Sequence, residues 1–167
     1  MPRVIGIDPG SRCTGYGIID GGRDSIRHVA SGIVSTPSSA PFPERLGRIY
    51  SRLREVIGET GAEELAVEEV FVAKNALSAL KLGHARGAAI LAGVNAGLPV
   101  YEYSALQIKQ SVVGYGRAGK DQVEAMIRFL LAIREPINQN ASDALAAAVC
   151  HLNTRASLTH WQGRESR

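Results

Sequence analysis

The sequence predicts an α/β domain with a five-stranded mixed sheet flanked by helices, and three observations lead there. Strand-type runs crowd the start of the chain, at residues 4–8, 14–19 and 26–36, with turn residues between them. Beyond residue 43 the pattern changes to helix, strand, helix, strand, helix, which is how a sheet acquires parallel crossover strands. The chain of 167 residues, 45% of them hydrophobic, is long enough to bury one sizeable core. Residues 1–155 are read as a single domain. Residues 156–167, with the lone Trp161, form a polar C-terminal tail whose order is left open.

The first run, Val-Ile-Gly-Ile-Asp-Pro-Gly over residues 4–10, is nearly continuous in apolar residues and suits a central strand covered on both faces. Thr14–Ile19 alternates as a strand does, and Asp20-Gly21-Gly22 is a tight hairpin signal. Residues 26–36 supply a third strand, completing an antiparallel meander. After a Pro/Ser loop, Leu46, Ile49, Tyr50, Leu53, Val56 and Ile57 recur at helical spacing within residues 44–60, with Gly61 placed to stop the helix. Leu65–Val67 reads as a short buried strand, residues 75–97 as a long Ala/Leu helix, Val100–Tyr103 as a strand and residues 105–112 as a short helix. Residues 121–133 and 142–154 read as the last two helices.

Composition narrows the class of function. No apolar run approaches the roughly 20 residues that span a bilayer, and the N-terminus lacks a signal-peptide layout. Cys13 and Cys150 show no metal-site spacing and read as reduced thiols, so a cytoplasmic protein without a membrane partner is expected. The net charge of +3 is unevenly placed: Lys74, Lys81, Arg86, Lys109, Arg117 and Lys120 face the single acid Glu102, giving that segment +5. Concentrated positive charge points to a polyanion, of which nucleic acid is the usual one, against a merely uneven solvated surface.

Residues 114–121 (Gly-Tyr-Gly-Arg-Ala-Gly-Lys-Asp) imitate a phosphate-binding P-loop until the last position, where Asp121 replaces the Ser/Thr that holds Mg²⁺. A carboxylate there repels phosphates, so Asp121 and Glu124 are expected to open an ordinary helix as N-cap and third-position acid. A Gly-rich loop carrying Tyr115, Arg117 and Lys120 suits a nucleic-acid backbone better. On the long helix Gly83 and Gly87 share a face, and each costs about 1 kcal/mol of helix stability relative to Ala. Close approach of another backbone would explain them, either a second subunit about a two-fold axis or the chain's own sheet.

The acids carry the chemistry. Asp8 ends a central strand, where a carboxylate needs neutralising and a divalent cation is a common partner, although Asp also opens Pro-Gly turns. Glu68 ends another strand, and because strand neighbours point to opposite faces only one of Glu68 and Glu69 can join Asp8. Asn140 and Asp143 lie three apart at the start of the last helix, hence on one face, with a plain helix cap as the alternative. Two strand-end acids plus a helix-start pair can gather oxygen ligands for Mg²⁺, and two such ions can activate water against a phosphodiester.

Residues 5–12 (Ile-Gly-Ile-Asp-Pro-Gly-Ser-Arg) with Thr14-Gly-Tyr-Gly strongly resemble the RuvC family of Holliday-junction resolvases. So do Glu68–Asn75, Ser78–Gly87, Lys109-Gln110 and Ser142–Leu145, the likeness covering residues 2–154. The resemblance implies a ribonuclease-H-like fold, a homodimer, and paired Mg²⁺-dependent nicks in four-way junction DNA during recombination and repair. It also implies two Mg²⁺ per active site, replaceable by Mn²⁺, and a branch-migration motor of the RuvAB type as partner. By that match Asp8, Glu68, Asn140 and Asp143 are the catalytic, metal-binding positions and Glu69 is a bystander. Phe71 resembles the family's aromatic wedge, and Lys109 and Lys120 its DNA-contacting lysines. Lys74, Asn75, Lys81, Arg86, Gln110, Tyr115 and Arg117 complete the expected DNA surface. Asn140 stands where the family usually carries Asp, or in some members His, so one acid of the expected four is missing. That keeps open a non-cleaving junction-binding protein. An actin-like ATPase or sugar kinase also runs Gly-Ile-Asp into a hairpin, but its second, larger half has no room here.

Overall fold

The structure, a computed structural model, describes residues 1–21, 25–70 and 75–165, the last eight of these as backbone only. Phe71 and Lys74 therefore lie outside the described residues. The strands are β1 (Arg3–Asp8), β2 (Cys13–Gly21), β3 (Ile26–Ser35), β4 (Glu64–Glu68) and β5 (Val100–Tyr103). The helices are α1 (Phe42–Thr60), α2 (Ala76–Val94), α3 (Ala105–Val113), α4 (Lys120–Leu130) and α5 (Gln139–Glu165).

The sheet order is β3-β2-β1-β4-β5. β1, β2 and β3 form the expected antiparallel meander, while β4 and β5 run parallel to β1, so the mixed five-stranded sheet is as the pattern implied. The parallel trio sends the C-terminal ends of β1, β4 and β5 to one edge, which is where open α/β sheets place their sites. On one face α1 and α2 cover Ile5, Ile7, Ile18, Leu65 and Val67; on the other, α3, α4 and α5 cover Val4, Ile19 and Ala66. Ile5, Ile7, Leu65 and Val67 are completely buried, each such side chain contributing about 1.5–3 kcal/mol. Coverage on both faces is why β1 and β4 read as continuous apolar runs rather than alternating ones.

α5 lies unusually close to the sheet. A Cβ on Gly6 would stand 1.9 Å from the Ala144 carbonyl oxygen, and one on Gly15 would stand 2.0 Å from that of Asn140. Glycine is required at both positions because helix backbone occupies the space of a side chain. The contact brings the first turn of α5 down beside the end of β1.

Several helix bounds differ from those the sequence predicts, those of α4 and α5 among them. α4 is capped at Gly119, whose N–H donates to Gln122 Oε1 at 2.8 Å, so Asp121 is a first-turn acid and not the N-cap. α5 begins three residues before Ser142 and continues to Glu165 rather than stopping at Thr154, because no Gly or Pro lies between Thr154 and Gln162 to end it. None of the described helices is long and apolar enough to cross a membrane.

Candidate active site

Asp8 and Glu68 end neighbouring parallel strands, one step beyond the Ile7–Val67 pair. Both are half-buried, whereas Glu69 is exposed, as the alternation of strand side chains requires. The turn after Asp8 is held by Thr14, whose hydroxyl donates to the Gly10 carbonyl at 2.8 Å and accepts from the Gly10 N–H at 3.2 Å. The end of β4 is fixed twice: the Glu69 N–H donates to the Tyr103 carbonyl at 2.8 Å, and Arg86 Nε donates to the Glu68 carbonyl at 3.0 Å.

The start of α5 supplies the third acid. Asn138 accepts the Asn140 N–H on its side-chain Oδ1 at 2.9 Å, so Asn138 is the N-cap and Asn140 lies in the first turn. This removes the plain-cap alternative for Asn140. One turn on, Asp143 accepts from Gln139 Nε2 on Oδ1 at 2.9 Å, and Lys120 Nζ stands 3.5 Å from its Oδ2. Glu68, Lys109, Lys120 and Asp143 surround a cleft of about 160 Å³ floored by Ile108 and Val123. A second cleft of about 190 Å³ is bordered by Asp8, Glu68 and Glu69, so Glu68 is the wall the two share.

The three carboxylates act on one another. Burial pushes Asp8 up to about 7, and the negative charges of Asp143 and Glu68 add to the rise while Lys120 opposes it. Glu68 is raised by burial first and by Asp143 second, against Lys120 and Lys109. An acid held up in this way is a site short of positive charge. A divalent cation satisfies that deficit, and hard carboxylate oxygens are the donors Mg²⁺ takes. Among the described residues no three acids, histidines or cysteines close into a ready ligand cage. In this conformation Lys120 and Gln139 hold the two oxygens of Asp143.

The other expected site residues fall into three groups. Lys109 and Lys120 line the cleft, and Lys81, Gln110, Tyr115 and Arg117 are exposed. Asn75 caps α2, accepting the Ser78 N–H at 3.1 Å, and Arg86 is committed to the Glu68 carbonyl and, at the surface, to Glu102. Asn140 lines neither acidic cleft: its Nδ2 donates to Cys13 Sγ at 3.0 Å. Cys13, Gln139 and Arg86 as a brace for Glu68 were not legible beforehand. The Asn140–Cys13 contact spans 127 residues of sequence and has no local signature, whereas Gln139, four residues before Asp143, had helical spacing as its signal.

The family model described as "Crossover junction endodeoxyribonuclease RuvC" matches residues 4–151. A protein of that name from Geobacter metallireducens is 58% identical over 152 residues, covering 91% of this chain and 93% of its own. Its counterpart from Syntrophotalea carbinolica is 56% identical over 149 residues, covering 89% and 92%. Among solved structures, T. thermophilus RuvC in complex with Holliday junction substrate superposes with a TM-score of 0.87 at 38% identity, over 93% of this chain and 95% of that one. The yeast mitochondrial Holliday junction resolvase Ydc2, at 13% identity and a TM-score of 0.69 over 97% of this chain and 84% of its own, shares the fold. The ribonuclease-H-like architecture is thus common to both. With its acids gathered where the sheet and α5 meet, the chain belongs to the RuvC family of crossover junction endodeoxyribonucleases.

Proposed function

We propose that the protein is a structure-selective DNA endonuclease that resolves four-way junctions by paired, Mg²⁺-dependent nicks. The observation that carries this reading is the mutual coupling of Asp8, Glu68 and Asp143 at the edge of a cleft that also holds Lys109 and Lys120. Asp8, Glu68 and Asp143 would hold two Mg²⁺ ions, with Mn²⁺ as a substitute, and Asn140 Oδ1, which lines neither cleft in this conformation, would serve as a neutral fourth ligand only after a shift toward them. Bound there, the ions would supply Lewis acidity and a low-pKa water for phosphodiester hydrolysis. Lys109 and Lys120 bring phosphate oxygens to the acids, and the exposed Tyr115 and Arg117 of the loop between α3 and α4 extend that grip along the backbone. Asn140 carries no charge and accepts no proton as a carboxylate does, so cleavage by this chain is slow while junction binding is intact.

The exposed face of α2 supports a homodimer. A Cβ on Gly83 or Gly87 would meet nothing within 4 Å, so these glycines do not serve packing on the chain's own sheet. They border a groove of about 660 Å³ with Leu46, Tyr50, Leu80 and Leu91, and Leu80 and Leu91 are exposed. A second copy of α2 fits such a surface. The likeness to T. thermophilus RuvC in complex with Holliday junction substrate supports four-way junction DNA as the substrate, and a RuvAB-type motor and a cytoplasmic location would accompany that role.

The test is incubation with an end-labelled four-way junction and Mg²⁺ beside a linear duplex. Symmetric nicks in the junction alone support the endonuclease, and tight binding that never yields nicks, even with Mn²⁺, leaves a binding protein.

A further inference from the structure

The core holds a polar chain that the proposed chemistry does not use. The Tyr103 hydroxyl and His151 Nδ1 are 2.7 Å apart, His151 Nε2 is 2.5 Å from Glu64 Oε2, and Arg155 Nη1 donates to Glu64 Oε1 at 2.6 Å. Tyr103, Glu64 and His151 are buried, His151 to 2% exposure. With its hydrogen on Nε2 the ring satisfies both neighbours at once, accepting from the phenol on Nδ1 and donating to the carboxylate from Nε2. Burial pushes the Tyr103 phenol up to about 12, which keeps it a donor.

The positions of these groups matter more than their chemistry. Glu64 opens β4 and Glu68 ends it; Tyr103 ends β5 directly beside Glu68 in the parallel register. His151 belongs to α5, eight residues past Asp143, roughly 12 Å along the axis. The chain therefore ties the start of the strand bearing Glu68, and the end of the strand paired beside Glu68, to the helix bearing Asp143. Around the first turns of α5 the contact with the sheet is largely helix backbone on glycine. The backbone at Asn140 and at Ala144–Ala148 lies on Gly15 and Gly6, with Leu145 over Gly17 and, further on, Leu152 beside Gly21 as the large side chains that meet β2 glycines. Glycine against alanine permits close approach but supplies few knobs to fix the helix along its own axis. Directional hydrogen bonds do so, because a slide of one residue moves every partner by about 1.5 Å.

We propose that Glu64, His151 and Tyr103 are positioning residues: they set the axial register of α5 against β4 and so fix Asp143 relative to Glu68. The proposal rests on the reading of those two acids as metal ligands only for its effect on metal, and the register itself can be measured without metal.

Tyr103→Phe is the decisive variant, since it removes one hydroxyl and keeps the ring; Glu64→Gln and His151→Gln accompany it. Register is read as the distance distribution between nitroxide labels at Glu69→Cys and Ser157→Cys, both exposed sites, with Cys13 and Cys150 replaced by alanine. Metal is read as Mn²⁺ binding by calorimetry with native cysteines and no DNA. The expected result is a distribution that shifts or broadens by about the rise of one helical residue, with Mn²⁺ affinity 3- to 10-fold weaker and junction affinity in EDTA unchanged. Superimposable distributions for Tyr103→Phe overturn the proposal, as does a fall in melting temperature with unaltered Mn²⁺ affinity. If the parent and Asp143→Asn bind Mn²⁺ equally poorly while the labels still move, the metal reading fails and the register device stands.

Discussion

Lys120 Nζ lies 3.5 Å from Asp143 Oδ2, and this pair joins the loop side of the cleft to the acidic side. Lys120 is largely exposed, so the pair itself contributes little to folding stability. Its importance is as a cation already standing at an acidic site, one that also opposes the rise of Asp8 and Glu68. On the proposed function it would compete with a divalent ion for Asp143 in free protein and turn to phosphate on a junction.

Lys120→Ala should therefore act in opposite directions on two ligands. Mn²⁺ affinity in the absence of DNA should rise, by about 2- to 5-fold for one exposed charge pair. Junction affinity in EDTA should fall and the slope of log K against log salt should flatten by about one. Calorimetry and a salt titration of binding check the two arms. Loss of metal affinity together with DNA affinity would mean that Lys120 supports the fold of the site instead.

Asp8 gives the site a pH dependence whose sign can be fixed. Its native value is pushed up to about 7 from the ordinary 3.8. Between those values the native state binds the proton that the unfolded chain releases, so stability falls as pH rises through that window. Below about pH 4 both states are protonated and the penalty is absent. Asp8→Asn removes the charge, so in EDTA it should melt higher than the parent at pH 8 and level with it at pH 4. A gain of at least about 3 °C at pH 8 is expected. Mg²⁺ should stabilise the parent more at pH 8 than at pH 5 and leave Asp8→Asn nearly unaffected.

The glycines divide into two kinds that one substitution can tell apart. Gly6→Ala drives a methyl to within 1.9 Å of helix backbone, and overpacking against a rigid neighbour costs about 1–3 kcal/mol or more. Gly83→Ala meets empty space on an exposed helix and should stabilise the isolated chain by up to about 1 kcal/mol. It should at the same time weaken self-association in sedimentation experiments, because the methyl fills the groove a second copy needs. Unchanged association would mean the dimer, if it forms, uses another face.

The meander, the two crossover strands and the strand-end acids were legible because each rests on a local signal, β-branched runs and acids closing apolar strands; the Asp-Gly-Gly signal runs into Gly22, outside the described residues. Glu68 could be chosen over Glu69 only through the family likeness, since alternation says that one faces inward and not which. The cap of α5 was misplaced because Asn138 and Asn140 are both good N-caps, and choosing between them depends on where α5 settles on Gly6 and Gly15. His151 and Glu64, separated by 87 residues, look in sequence like an ordinary histidine and an ordinary surface acid. Only the closure of the sheet against α5 makes them partners.

Asn140 is the position where sequence and geometry pull hardest against each other. Its side chain turns its N–H to Cys13 Sγ at 3.0 Å, an interaction that a carboxylate cannot make as donor. Asn138 already caps the helix, so Asn140→Asp loses no cap and gains a first-turn charge favoured by the helix dipole. The new carboxylate would be repelled by Asp143, three residues on along α5, in metal-free protein, and would accept from the Cys13 thiol in place of donating to it. Stability in EDTA at pH 8 should consequently fall slightly, while Mg²⁺ restores it. With four acids in place of three, less neutralisation is left to the scissile phosphate, and a group able to take a proton is present. The nicking rate in Mg²⁺ should then rise on the order of 10²-fold or more, the usual worth of one acid–base group, with junction affinity in EDTA changed little. Single-turnover cleavage of a labelled junction by the two proteins decides it. Equal rates would show that Asn140 serves β2 through Cys13 and that Asp8, Glu68 and Asp143 suffice for cleavage.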